Sequence, residues 1–233
     1  MTQSSTALVT GANKGIGFHI ARLLAARGVT VYLGSRDPAR GAAAASEMSG
    51  KVSVVPLDVL DAGSIAAAAE QIGELDILVN NAGIIADGGA PPDSTVDAFR
   101  RTYETNVFGV LAVTNALLPA LRRSPHPRIV NISSSTGSLA GSVERPGSGG
   151  SGAAYRSSKA ALNALTIFYA QALPTFRVNA MAPGLRRTDL NERARTADGD
   201  PAEAAEGAVR LALLPDDGPT GGFHSWDGTI VPW

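Results

Sequence analysis

Apolar positions along the chain switch between two periods, and the switches mark out the elements. Short apolar runs at residues 6–10, 29–33, 52–57, 77–79, 128–132 and 177–181 have the length and β-branched content of buried strands. Between and after them, residues 16–27, 65–72, 96–121, 154–173 and 202–214 repeat apolar side chains every three or four positions, which predicts helices. Gly28 is placed to cap the first of these helices. Strands alternating with helices predict an α/β fold with a parallel sheet covered on both faces. No internal repeat and no linker divides the chain, so residues 1–233 are expected to form a single domain.

Two segments break the rhythm. Residues 137–152 include GSVERPGSGGSG, a loop composition. Residues 185–201 are rich in Arg, Asp, Asn and Thr and lack periodicity, as in a lid or binding loop, or a plain mobile connection.

Composition narrows the function. With 44% hydrophobic and 18% charged residues the chain can bury a core and is not a disordered segment. A formal net charge of −1 carries no electrostatic footprint for nucleic acid or a membrane surface. The absence of cysteine removes disulfides, thiolate metal sites and cysteine nucleophiles, and the three histidines (His19, His126, His224) are too scattered for a zinc site, so no metal is expected. The start has no basic stretch leading into an apolar one, and no run suggests a membrane span. A cytoplasmic protein is the expectation.

Two motifs carry chemistry. TGANKGIG directly follows the first strand and opens the first helix. There Gly11 permits a tight turn, Gly15 close approach of backbone to a ligand, and Gly17 close helix–strand packing, while the helix start offers amide donors to a phosphate. Tyr155 and Lys159 lie one helical turn apart and share a face. A fixed ammonium beside a phenol favours the phenolate, so the pair predicts a tyrosine whose pKa is pulled down from about 10 toward the working range.

With Asn80-Asn81-Ala82-Gly83 and Pro183-Gly184, these motifs occur in the order found in the classical short-chain dehydrogenase/reductase family, which the chain resembles over nearly its whole length. The resemblance implies a Rossmann-type doubly wound sheet, a nicotinamide dinucleotide and hydride transfer. It implies catalytic roles for Asn106, whose helix backbone links to the lysine through a water, for Ser134, which holds the substrate oxygen, for Tyr155, the proton donor, and for Lys159, which also reaches the nicotinamide ribose. It implies cofactor contacts from Gly11, Asn13, Lys14, Gly15, Ile16 and Gly17, and from Asp58 and Val59 after the third strand. Further contacts are implied from Asn81, Ala82, Gly83, Pro183, Gly184 and Thr188. Ser133 and Ser135 fall to supporting roles.

Two readings of the cofactor compete. Asp37 lies where an acid would grip the ribose diol of NAD. Arg36 and Lys14 instead suit the 2′-phosphate of NADP, and a strand ending at Leu33-Gly34 puts Ser35, not an acid, at the family's discriminating position. NADP(H) is the expected cofactor.

The 21-residue step from Ser134 to Tyr155 is longer than the family's usual spacer and resembles carbonyl-reductase-like members, in which such insertions shape the substrate pocket or obstruct helix-mediated dimerisation. The implied activity is NADPH-dependent reduction of a ketone or aldehyde, an EC 1.1.1-like reaction. Reduction of an iminium or hemiaminal carbon in natural-product metabolism, and a non-catalytic NADP-sensing protein, are the alternatives. The partner is thus a small carbonyl or imine substrate. A homodimer or homotetramer through the two long helices stands beside a monomer.

Overall fold

The computed structural model describes residues 5–144 and 149–233. Its strands are β1 (Thr6–Val9), β2 (Thr30–Ser35), β3 (Val52–Pro56), β4 (Ile77–Asn80), β5 (Arg128–Ile132), β6 (Arg177–Ala182) and β7 (Phe223–Ser225). They form one parallel sheet in the order β3-β2-β1-β4-β5-β6-β7. The chain runs outward from β1 to β3 and then returns to place β4 on the other side of β1. This reversal opens a crevice at the carboxyl ends of β1 and β4, the ligand position of doubly wound sheets.

Helices α1 (Gly15–Ala26) and α9 (Pro201–Ala212) cover one face, and α3 (Ala62–Gln71), α5 (Val110–Leu121) and α7 (Ala153–Ala172) the other. Strand alternation sorts the core between them. Ala7 and Val9 of β1 pack with Ile20, Leu24 and Val209, whereas Leu8 between them packs with Leu78, Leu117 and Ile129. Burying each such large side chain stabilises the fold by about 1.5–3 kcal/mol. A polar strut crosses the second face. Asn80 Nδ2 donates to Thr114 Oγ1 (3.0 Å) and Asn131 Oδ1 (2.8 Å), and Asn131 Nδ2 donates to Thr166 Oγ1 (2.9 Å). It ties α5 and α7, which flank the crevice, to the sheet beneath them.

Several expectations need correction. The helix expected over residues 96–121 is interrupted. Helix α4 (Val96–Tyr103) passes into a π-helical turn, Glu104–Gly109, before α5. The widened turn lets Asn106 reach the backbone of Ile84, and π-turns concentrate at functional sites. This stretch, Val96–Leu121, does have the length and apolarity of a membrane span, but more than half of its most apolar 18-residue window is buried in the fold, as in a core helix. Strand β2 runs on to Ser35 instead of ending at Leu33-Gly34.

Helix α2 (Pro38–Ser46), unmarked by apolar periodicity, starts at an Asp37 cap with Pro38 behind it. The two loop segments also hold structure. A short α6 (Leu139–Val143) lies within 137–152, of which residues 145–148 fall outside the described residues, and α8 (Glu192–Arg195) lies within 185–201.

Candidate active site

Side chains tie down the loop between β1 and α1. The Asn81 amide donates to the carbonyls of Thr10 (2.8 Å) and Gly11 (3.2 Å), and Thr10 Oγ1 accepts from the amides of Asn81 (2.9 Å) and Ala82 (3.0 Å). The loop therefore depends on β4's end. Gly11 (φ 62°) and Gly15 (φ 57°) occupy the left-handed region, where other residues are strained. Gly17 is required for space, since a Cβ there would collide with Asn81 Nδ2 and stand 2.7 Å from the Gly11 carbonyl. Helix α1 has no capping side chain and no acid in its first turn, so its leading amides stay available to an anion.

Beyond this loop a cleft of about 480 Å³ opens over the carboxyl ends of the strands. Asn13, Lys14, Gly15, Ile16, Asp58 and Val59 line one part, and Asn81 to Gly83, Tyr155, Lys159, Pro183 and Thr188 the rest. Gly184 does not line it. With φ 70° it turns the chain beside Trp226, so the cofactor contact expected of it is not placed at the cleft.

Lys159 is buried and Tyr155 half-buried on the first turns of α7. Lys159 Nζ donates to the Ile132 carbonyl (2.7 Å) and stands 5.6 Å from the Tyr155 ring centroid. Burial lowers the Lys159 pKa to about 8. Burial raises Tyr155 to about 12, against a hydrogen bond from Ser134 that lowers it. This corrects the expectation of a tyrosine already acidified by its lysine. Part of the Tyr155 surface is open to the cleft, but protein packed around the phenol makes desolvation the winning effect.

Ser134 is thus the serine beside Tyr155, its Oγ also meeting Thr136 Oγ1 at 2.8 Å. Ser133 is buried and donates to Asn163 Oδ1 (2.6 Å), a supporting contact. Asn106 is fully buried and its side chain is committed. Its Oδ1 accepts from Ile84 N (2.9 Å), and its Nδ2 donates to Ile84 O (2.9 Å) and Ser158 Oγ (3.0 Å). Ser158 Oγ in turn donates to the Tyr155 carbonyl (2.7 Å), so Asn106 braces the turn that carries Tyr155.

Lys14, Arg36, Asp37 and Arg40 also line the cleft. Asp37 does not stand free for a ribose diol. Its carboxylate accepts from the amides of Ala39 (2.9 Å) and Arg40 (3.2 Å) to cap α2, and it pairs with Arg40 Nε at 3.4 Å. Ser35 is fully buried and donates to the Asp37 carbonyl (2.7 Å). Arg40 was not legible as a cleft residue because α2 itself was not recognised. Ile84, Ile85 and Leu190 give the cleft an apolar wall, a contribution that carried no motif. Thr188 sits over Gly15, with its methyl 3.4 Å from where a Cβ would stand. Among the described residues no cluster of His, Asp or Glu is placed to hold a metal.

Comparison with known proteins agrees with this geometry. A salutaridine reductase of Papaver bracteatum is 36% identical, the match covering 96% of this chain and 95% of that protein. A (−)-isopiperitenone reductase of Mentha piperita is also 36% identical, over 97% of each chain. The crystal structure of an NADPH-bound carbonyl reductase from chicken fatty liver superposes with a TM-score of 0.84 at 29% identity, covering 99% of both chains. The family model described as short chain dehydrogenase matches residues 5–199, and the chain is accordingly an oxidoreductase of the short-chain dehydrogenase family.

Proposed function

We propose that this protein is an NADPH-dependent reductase of a ketone or aldehyde, with Tyr155 as proton donor. The observation that carries the reading is the convergence on one cleft of an uncapped α1 with its glycine loop, three cations, and the Tyr155–Lys159 pair, with Ser134 hydrogen-bonded to Tyr155. The available amides of α1 and the glycines that keep the loop clear of side chains fit a dinucleotide pyrophosphate, and Lys14, Arg36 and Arg40 fit a 2′-phosphate. Asp37 also lines the cleft, but the α2 cap and Arg40 engage its carboxylate, which weakens its hold on an unphosphorylated ribose. The NADPH-bound relative supports the same choice.

The nicotinamide, when bound, supplies the hydride. Ser134 and Tyr155 hold the substrate oxygen where negative charge develops, and the Tyr155 hydroxyl gives that oxygen its proton. Lys159, kept against the Ile132 carbonyl, provides the cation that stabilises the resulting tyrosinate before solvent restores its proton. Lys159, with the ring charge that would develop as the hydride leaves, acts on a phenol that burial holds protonated. The apolar wall of Ile84, Ile85 and Leu190 suits a neutral carbonyl compound.

The test is NADPH consumption, followed by absorbance, across a panel of ketones, aldehydes and cyclic imines. Turnover of ketones with NADPH preferred over NADH supports the reading; turnover confined to the imines, or equal efficiency with both cofactors, overturns it. Phe108 and Phe168, 51% and 60% exposed on the two long helical stretches, make a homodimer or tetramer the proposed assembly, to be measured by light scattering.

A further inference from the structure

Lys14 belongs to the cation set read above as the 2′-phosphate site, yet its ammonium is already paired. Lys14 Nζ lies 3.2 Å from Asp189 Oδ2, joining the glycine loop to the 185–201 segment across the cleft. The acid arrives there on a fixed support. Arg187 N donates to the Gly199 carbonyl (2.8 Å), closing the base of the loop, and Thr188 N donates to the Ala194 carbonyl (3.3 Å). The Arg186 guanidinium stacks 4.2 Å over the Trp226 ring, and no Cβ fits at Gly199 beside it. Asn191 caps α8 through the Ala194 amide (2.8 Å). Asp189 itself has no such duty, for among the described residues its carboxylate bonds to Lys14 alone. Of the other acids lining the cleft, Asp37 caps α2 as well as pairing with Arg40, and Asp58 accepts from the Leu60 amide (3.0 Å).

We propose that Asp189 is a specificity-determining residue whose carboxylate stands in for the cofactor's 2′-phosphate on Lys14 and must be displaced when NADPH binds. The inference rests on the NADPH reading given above. Both partners are more than half exposed, at 58% and 62%, so the pair is a weak, exchangeable latch and not a structural tie. A phosphate dianion outcompetes it, and the released carboxylate then faces that dianion at a cost that falls with added salt. An unphosphorylated dinucleotide leaves the latch in place. Asp189 therefore sets the affinity gap between the two cofactors while touching neither the substrate nor the transferred hydride.

The experiment measures dissociation constants of NADPH, NADH and 2′,5′-ADP by fluorescence and calorimetry for wild type, Asp189→Asn, Lys14→Ala and the double variant. Asp189→Asn is expected to tighten NADPH and 2′,5′-ADP by about threefold, the scale of an exposed ion pair, and to leave NADH unchanged. The gain should vanish in the Lys14→Ala background and shrink in high salt. An equal gain for NADH, or a gain that survives Lys14→Ala, would overturn the proposal. No gain for 2′,5′-ADP in Asp189→Asn, with wild type still preferring NADPH, refutes the latch but not the cofactor reading. A wild type with no NADPH preference refutes the cofactor reading itself.

Discussion

Gly17→Ala tests the claim that the phosphate loop is held by Asn81. Gly17 lies within α1 at an ordinary helical conformation, so alanine gains about 1 kcal/mol of helix propensity. Against this, the new methyl meets Asn81 Nδ2, the Gly11 carbonyl at 2.7 Å and Ala12 Cα at 3.1 Å. Forcing such a group into a filled space costs about 1–3 kcal/mol. Displacing the Asn81 amide also breaks its bonds to Thr10 and Gly11, at about 1 kcal/mol each. The expected net loss is about 2–4 kcal/mol, read as a lower urea midpoint at unchanged slope. A double-mutant cycle isolates the cause. Asn81→Ala alone should cost about 2 kcal/mol, and combining it with Gly17→Ala should cost about 1–2 kcal/mol less than the two added, because the space has been vacated. Additive costs, or a Gly17→Ala protein as stable as wild type, would refute the reasoning.

Other consequences are equally direct. Lys159 is depressed to about 8 in the fold and lies near 10.5 when unfolded, so between those values the unfolded chain binds more protons. Wild-type stability relative to Lys159→Met should rise as pH climbs from about 8 to 10.5, measured by denaturation across that window. For reduction, kcat/KM should fall above pH about 8 as Lys159 loses its charge. Arg36→Ala and Arg40→Ala should each weaken NADPH by about tenfold, the scale of one lost charge-assisted bond, with little change for NADH in titrations. Arg186 has no partner among the described residues for its buried Nε and Nη2, so Arg186→Ala loses the Trp226 stack and the 3.6 Å pair with Glu203 but removes two unsatisfied donors. Its global stability should change by less than about 1 kcal/mol, while amide exchange in residues 185–199 accelerates and the cofactor KM rises.

How much of this was legible depended on whether the physical cause was local. Strand β5 is legible to its observed ends because its β-branched core, Ile129-Val130 and Ile132, is buried on both faces and follows a Pro-His-Pro turn. Helix α2 was invisible to periodicity because only Gly41 and Ala44 on it are buried; its signal lay in Asp37 and Pro38, and with it went Arg40. The π-turn at Asn106 leaves the apolar pattern of its helix intact, so its cause, the bonds to Ile84, appears only in three dimensions. Strand β7, three residues long, is too short to show a period. The direction of the Tyr155 shift was misjudged for a related reason. Spacing reveals the neighbouring ammonium, whereas the packing that desolvates the phenol is tertiary. Asp189 likewise comes to Lys14 from 175 residues away in the chain.

The central claim is that Tyr155 gives the proton in an NADPH-driven carbonyl reduction, and Tyr155→Phe tests it most directly. The phenyl ring keeps the packing over Lys159 and removes only the hydroxyl that meets Ser134. NADPH affinity, read by nicotinamide fluorescence, should stay within about twofold, while kcat for ketone reduction drops by about 10²–10⁴, the range of a lost general acid. A Tyr155→Phe enzyme that retains wild-type kcat with NADPH still bound would contradict the account.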